Sequence, residues 1–342
     1  MNNVRYAHDE GYADLCFAEN NKFLTTGGDG YLKIWKHFND LDPASIHVGV
    51  NCQALVFKSN IIYVVNHLNE LRKYDLVTYE FLGVLVSFLS PIASLCINNS
   101  ATHLICGAFN SDVHLIEIAT LKSNLISGHN GPILHVSCDP LEQFFVSSSC
   151  DGTARFWSLQ NFNMVKVMVN LHKSSSNFYD SISRCKIAWH KEDILIAVPC
   201  EKEVQFYERA TWLLKFTIHL NSDIVDDEVT SICAFSPDGW NVLIATSKNK
   251  VYIHSIITKK LLFNFSYHTD LNICALKWNP SNHNEIIFIN SNGYMVNINP
   301  VIWNDFNESS ISFSATSIVK SNNFETPGLL LFLYIKFTRV DY

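Results

Sequence analysis

The chain has 342 residues, 48% of them hydrophobic, 13% aromatic and only 17% charged. That composition excludes an intrinsically disordered chain and is enough to bury a large core. With 25 Lys and Arg against 32 Asp and Glu, the formal charge is −7, which disfavours a surface built to grip nucleic-acid phosphates.

The N-terminal stretch MNNVRYAHDE carries no basic-then-apolar secretion signal, so a reducing compartment and free thiols are expected for the ten cysteines. Within it, Val4 to Ala7 reads as a short strand with no partner nearby in sequence. Residues 8–35, HDEGYADLCFAENNKFLTTGGDGYLKIW, then give a patterned unit: a His ahead of a strand, a Thr in the next, an Asp-Gly turn and a Trp closing the third strand. Gly30 fits that turn because a two-residue hairpin requires positive φ. Ser45 to Val50 supplies a fourth, outer strand.

The same unit returns at residues 128–157, GHNGPILHVSCDPLEQFFVSSSCDGTARFW, where His129 answers His8, Ser147 answers Thr25, Asp151 answers Asp29 and Trp157 answers Trp35. The two tryptophans are separated by three steps of about 41 residues, the length of one four-stranded WD repeat. Two weaker repeats therefore lie between them. One cysteine falls in each expected innermost strand, Cys16, Cys52, Cys96, Cys138, Cys185, Cys233 and Cys274, at a mean step of about 43 residues. Third strands are read at LRKYD, VHLIEI, VQFYE, VYIHS and YMVNIN.

The expected architecture is an all-β, seven-bladed WD-repeat β-propeller over residues 4–300, closed by an N-terminal outer strand and followed by an irregular tail over 301–342. One twisted sheet cannot bury both its faces, so blades must stack until the ring closes. Val4 to Ala7 completing the last blade would remove two open sheet edges. A longer connection follows Trp157, with a protruding loop expected at Lys173 to Asn177. Near the end, LLLFLYIKF from Leu329 to Phe337 is too short to cross a bilayer as a helix, which needs about 20 residues; no membrane association is expected, an interfacial anchor being the minority alternative.

His8, Thr25, Asp29 and Trp35, and likewise His129, Ser147, Asp151 and Trp157, are expected to form hydrogen-bonded structural relays. A hydrolase triad is the competing reading of His, Ser and Asp. It is disfavoured because the Asp holds a turn, the Trp caps the relay and no oxyanion-hole motif follows. No Walker loop, dinucleotide fingerprint, CxxC or HExxH occurs, so no catalytic residue, cofactor or metal is assigned. The cysteines read as small buried packing residues. Rim residues Asn110, Glu201 and Asn249 join the relay His and Asp positions as loop positions where partners could dock. Lys248, Lys250, Lys259 and Lys260 form a local basic cluster in sequence.

Beyond the generic repeat, RYAHDEGYADLCF, GGDGYLKIW, FNDLDPASIHVG, SGHNGPILHVSCDP, SSSCDGTARFW, the RCKIAWH…ILIAVPCEKEVQFYER block and ICALKWNP resemble the amino-terminal propeller of the WD repeat and HMG-box DNA-binding protein family, over about residues 4 to 300. The resemblance implies a nuclear, chromatin-associated replisome adaptor linking DNA polymerase α-primase to the replicative helicase in DNA replication and chromatid cohesion. It implies replication-fork or chromatin proteins as partners. It also implies that the family's trimer hub and HMG box lie outside this sequence, so no trimer is expected of this chain. Direct DNA contact is expected to be weak at most. The alternative is a generic cytoplasmic WD scaffold in a ligase, trafficking or signalling assembly.

Overall fold

The computed structural model describes residues 4–9, 11, 13–49, 52, 54–169, 171, 185–192, 194–220, 228–268 and 272–299, with the backbone alone for 334–338. The expected loop at 173–177 lies outside these residues.

The described chain forms seven antiparallel sheets, one per blade, arranged as a propeller. Blade one shows how sequence sets the pattern. Its strands are Asp14–Phe17, Phe23–Thr26, Tyr31–Trp35 and Ala44–His47, ordered from the centre outward. The second strand, Phe-Leu-Thr-Thr, is buried at every position because both its faces meet neighbouring blades. The outermost strand, Ala44–His47, alternates half-buried and exposed residues, as a sheet wetted on one side requires. The same inside-to-outside gradient recurs in blade five, where Leu195–Cys200 is buried from its second residue onward and Leu214–His219 is largely open.

Packing lies between the sheets. Among the described residues seven apolar clusters are found, one for each seam between adjacent blades. The seam between blades three and four gathers Ile105, Leu115, Ile133, Phe145 and Trp157, with the Phe145 and Trp157 rings stacked 6.2 Å apart. The seam between blades seven and one is built the same way from Leu15, Phe23, Trp35, Ile287, Ile289 and Met295. Burial of these side chains, each contributing about 1.5–3 kcal/mol, holds the ring, since no sheet has an apolar face to spare.

Closure comes from the N-terminus. Val4–Tyr6 pairs antiparallel with Tyr294–Ile298 of blade seven, in the register Val4 with Val296 and Tyr6 with Tyr294. The Ala7 and His8 amides both donate to the Gly293 carbonyl, at 2.8 and 3.1 Å. The chain then enters blade one, so one segment belongs to both ends of the ring.

Two details differ from the sequence reading. Cys52 and Cys185 sit just ahead of their innermost strands, Ala54–Lys58 and Ala188–Trp189, instead of within them. Within the C-terminal region, Tyr334–Thr338 is a strand that adds to the outer edge of blade six by pairing with Leu261–His268. No helix among the described residues is long and apolar enough to cross a membrane.

Candidate functional site: relays, rim and central channel

In blade one the Trp35 indole N–H donates to the Thr25 hydroxyl oxygen at 2.8 Å. The Thr25 hydroxyl lies 2.7 Å from His8 Nε2, and His8 Nδ1 lies 2.8 Å from Asp29 Oδ1. Because the carboxylate can only accept, Nδ1 carries the proton and Nε2 accepts from the hydroxyl. The relay thus runs in one direction, from Trp through Thr and His to Asp. Burial lowers the His8 pKa and outweighs the opposing effect of Asp29, so the ring is held neutral. Lys33 and the Tyr31 amide also reach the Asp29 carboxylate, at 3.3 and 3.1 Å.

Blade four repeats this arrangement. Trp157 donates to Ser147 at 2.8 Å, Ser147 lies 2.8 Å from His129 Nε2, and His129 Nδ1 lies 2.9 Å from Asp151. Burial alone would raise the Asp151 carboxyl. Hydrogen bonds from His129, Thr153 and the Asn130 amide win, and hold it well below the usual carboxylate range. The serine and threonine hydroxyls are completely enclosed, between an indole and an imidazole, with no space for an acyl group to approach. The arrangement suits holding strands and turns together.

Of the rim positions, Asn249 is buried and its side-chain oxygen accepts from the Ile273 amide at 3.1 Å, joining blades six and seven. Asn110 bonds Asp112 at 2.8 Å within its own turn. The Glu201 carbonyl accepts the Thr230 amide of the next blade. The lysine cluster is divided by its partners: Lys250 lies 2.9 Å from the fully buried Glu228 carboxylate, while the Lys259 ammonium lies over the Phe216 ring at 4.7 Å. It does not form a continuous basic face.

Several interactions escaped the sequence reading because they join distant segments. Arg209 of blade five lies 2.8 Å from Asp139 of blade four, whose side chain is wholly enclosed. Its guanidinium also covers the Phe144 ring. At the centre, the first strands of the blades line a channel with a cavity of about 960 Å³. Cys16, Cys96, Cys138 and Cys274 line it and are half-buried, with the Cys96 and Cys138 sulfurs 3.5 Å apart. They are at the same time packed against the seam clusters, Cys16 between blades one and two, Cys96 and Cys138 between three and four, and Cys274 between seven and one, so their expected role as small packing residues holds at the border between seam and channel. Lys186, Lys277 and His135 line it as well. Their signal in the sequence was a cationic residue at an alternating position of an otherwise apolar first strand, as in RCKIAWH and ICALKWNP. No cluster of potential metal ligands occurs among the described residues.

Comparison with known proteins agrees with this architecture. The family model described as the WDHD1 first WD40 domain matches residues 5–296. Among curated proteins, the chain is 30% identical over 281 residues to WD repeat and HMG-box DNA-binding protein 1 of Xenopus laevis, covering 81% of this chain and 25% of that protein. It is 26% identical to the human protein of the same name, over 81% of this chain and 24% of the relative. It is also 22% identical to Minichromosome loss protein 1 of Schizosaccharomyces pombe, over 87% of this chain and 36% of the relative. The chain thus spans about a quarter of the length of its vertebrate relatives. With its ring closed through Val4–Tyr6 and its matched region spanning all seven blades, the chain belongs to the family of first WD40 domains of the WD repeat and HMG-box DNA-binding proteins.

Proposed function

We propose that this propeller is a non-catalytic protein-interaction module of a nuclear replication adaptor, docking replication-fork or chromatin proteins through its loops. The family match over the whole ring carries this reading. The relays support it, because their His, Ser or Thr, and Asp groups satisfy one another inside the blades and are not available for chemistry on a substrate. His8, Thr25, Asp29 and Trp35, with His129, Ser147, Asp151 and Trp157, are accordingly positioning residues for the blades.

Chromatin is reached through protein partners and not through a grip on DNA. The net charge of −7 opposes phosphate binding, and Lys250 is neutralised by Glu228. Fractionation of cells expressing the tagged chain tests this directly. Enrichment on chromatin during S phase, with no retardation of duplex DNA by the purified chain at 150 mM salt, is the expected outcome. Equal cytoplasmic distribution throughout the cycle, even with an import signal appended, favours a cytoplasmic WD scaffold instead.

A further inference from the structure

The lining of the central channel carries Lys186, Lys191 and Lys277 against Asp14 and Asp139, a positive balance in a chain whose formal charge is −7. Strand register places Asp14, Ser94 and His135 in one tier, opposite Thr26, Gly107 and Ser148 of their own second strands. Lys186 joins that tier through its bridge to Ile232. Lys277 lies one alternating position along its own strand, opposite Ile287, and is exposed to the cavity. Two lysines thus line the same open channel.

The acids of the lining make their direct contacts elsewhere. Asp14 accepts from the Leu15 and Leu55 amides at 2.9 and 3.0 Å, joining blades one and two. Asp139 is enclosed and paired with Arg209. Among the described residues, neither Lys186 nor Lys277 forms an ion pair. The Lys186 ammonium donates to the Cys274 carbonyl at 2.7 Å, which satisfies one of its three N–H groups. Burial lowers the Lys186 pKa; Asp14 opposes that effect, and Lys277 adds to it. His135 is depressed further, by burial and by both lysines, and its Nδ1 is enclosed without a hydrogen-bond partner. Like charges held together in a cavity with low-dielectric walls create a focused positive potential, which favours entry of an anion.

We propose that the channel binds a small, multiply charged oxyanion of the polyphosphate class, held between Lys186 and Lys277 beside His135. The cavity, about 960 Å³, is in the size range of small-molecule sites. Two converging ammonium groups require an anion with charge distributed over more than one oxyanion group. Such a ligand would tie blades five and seven together across the ring, because its two lysines come from different sheets. This site is independent of partner docking at the rim.

Titration calorimetry of the full chain with tripolyphosphate tests the assignment, with Lys277→Met and, as control, Lys122→Met on the exposed rim of blade three. Saturable one-site binding is expected, weakened at least about tenfold by Lys277→Met and unchanged by Lys122→Met. Lys277 is exposed to the cavity, so its variant should retain the wild-type melting temperature. Absence of saturable binding, or equal losses in both variants, overturns the site. Binding of an oligoglutamate peptide in preference to tripolyphosphate also overturns it.

Discussion

Gly293 lies directly against His8. The Gly293 carbonyl accepts two amide hydrogen bonds from Ala7 and His8, its φ is +74°, and a Cβ at this position would overlap the His8 carbonyl. The turn of the last blade and the relay of the first therefore meet at one point, which couples ring closure to blade one. Gly293→Ala should lower stability by about 2 kcal/mol or more, through both the overlap and the positive φ. Urea unfolding measures it, and an unchanged midpoint would show that the two residues do not meet this way.

Removal of residues 1 to 7 should have a larger effect, because it takes away the strand paired with Tyr294–Ile298 and opens a sheet edge. A drop in melting temperature of several degrees, with loss of amide protection in residues 294–298, is the expected result. Retention of both would mean that blade seven is complete without Val4–Tyr6.

Asp151→Ala should cost about 1–3 kcal/mol, because the His129 N–H loses its acceptor and the Asn130 and Thr153 amides lose theirs. Asp29→Ala should behave similarly in blade one. Thermal melts of each variant against the parent provide the check; two silent substitutions would remove the relay from any part in stability.

Acid should destabilise the ring in two stages. His8, His114, His135 and His254 are all lowered from the ordinary value of 6.5, first by burial. The unfolded chain therefore takes up protons before the folded one, and stability is fully present above about pH 6.5 and falls below it. Asp29 and Asp151 are also lowered, their hydrogen bonds outweighing the upward effect of burial. Their contribution is present above about pH 4 and is lost as pH falls further. Denaturation midpoints between pH 8 and pH 3 should show both declines, whereas a flat profile from pH 8 to 5 would contradict neutral buried histidines.

Arg209→Met should cost about 3–5 kcal/mol, since it leaves the enclosed Asp139 carboxylate without its cation. Adding Asp139→Asn should recover part of that loss. A double variant no more stable than Arg209→Met alone would mean that the guanidinium acts through its packing on Phe144 and not through charge.

The sequence was most informative where a blade carries its own internal bonds. His8, Asp29 and Trp35 lie within one repeat, and so do His129, Asp151 and Trp157, so their spacing discloses both the turn and the blade length. The weaker blades were still countable from their first strands, because each must alternate between a seam and the channel. Cys138 sits where the two meet, half-buried on the channel and packed against the seam of blades three and four, so its replacement by Ser sets a hydroxyl against apolar neighbours and should lower stability. The pairs Arg209 with Asp139 and Lys250 with Glu228 left no local pattern, because each joins segments brought together only by folding. The convergence of Lys186 and Lys277 is likewise a product of ring closure, since their strands belong to different blades.

The most direct test of the adaptor reading is affinity capture from S-phase nuclear extract with the folded chain, compared with its Asp151→Ala variant. Recovery of replication-fork proteins, among them polymerase α-primase or replicative helicase subunits, with reduced recovery by the variant, is the expected result. Recovery of cytoplasmic assemblies alone, or equal recovery by both chains, would contradict a folded propeller that docks replication partners.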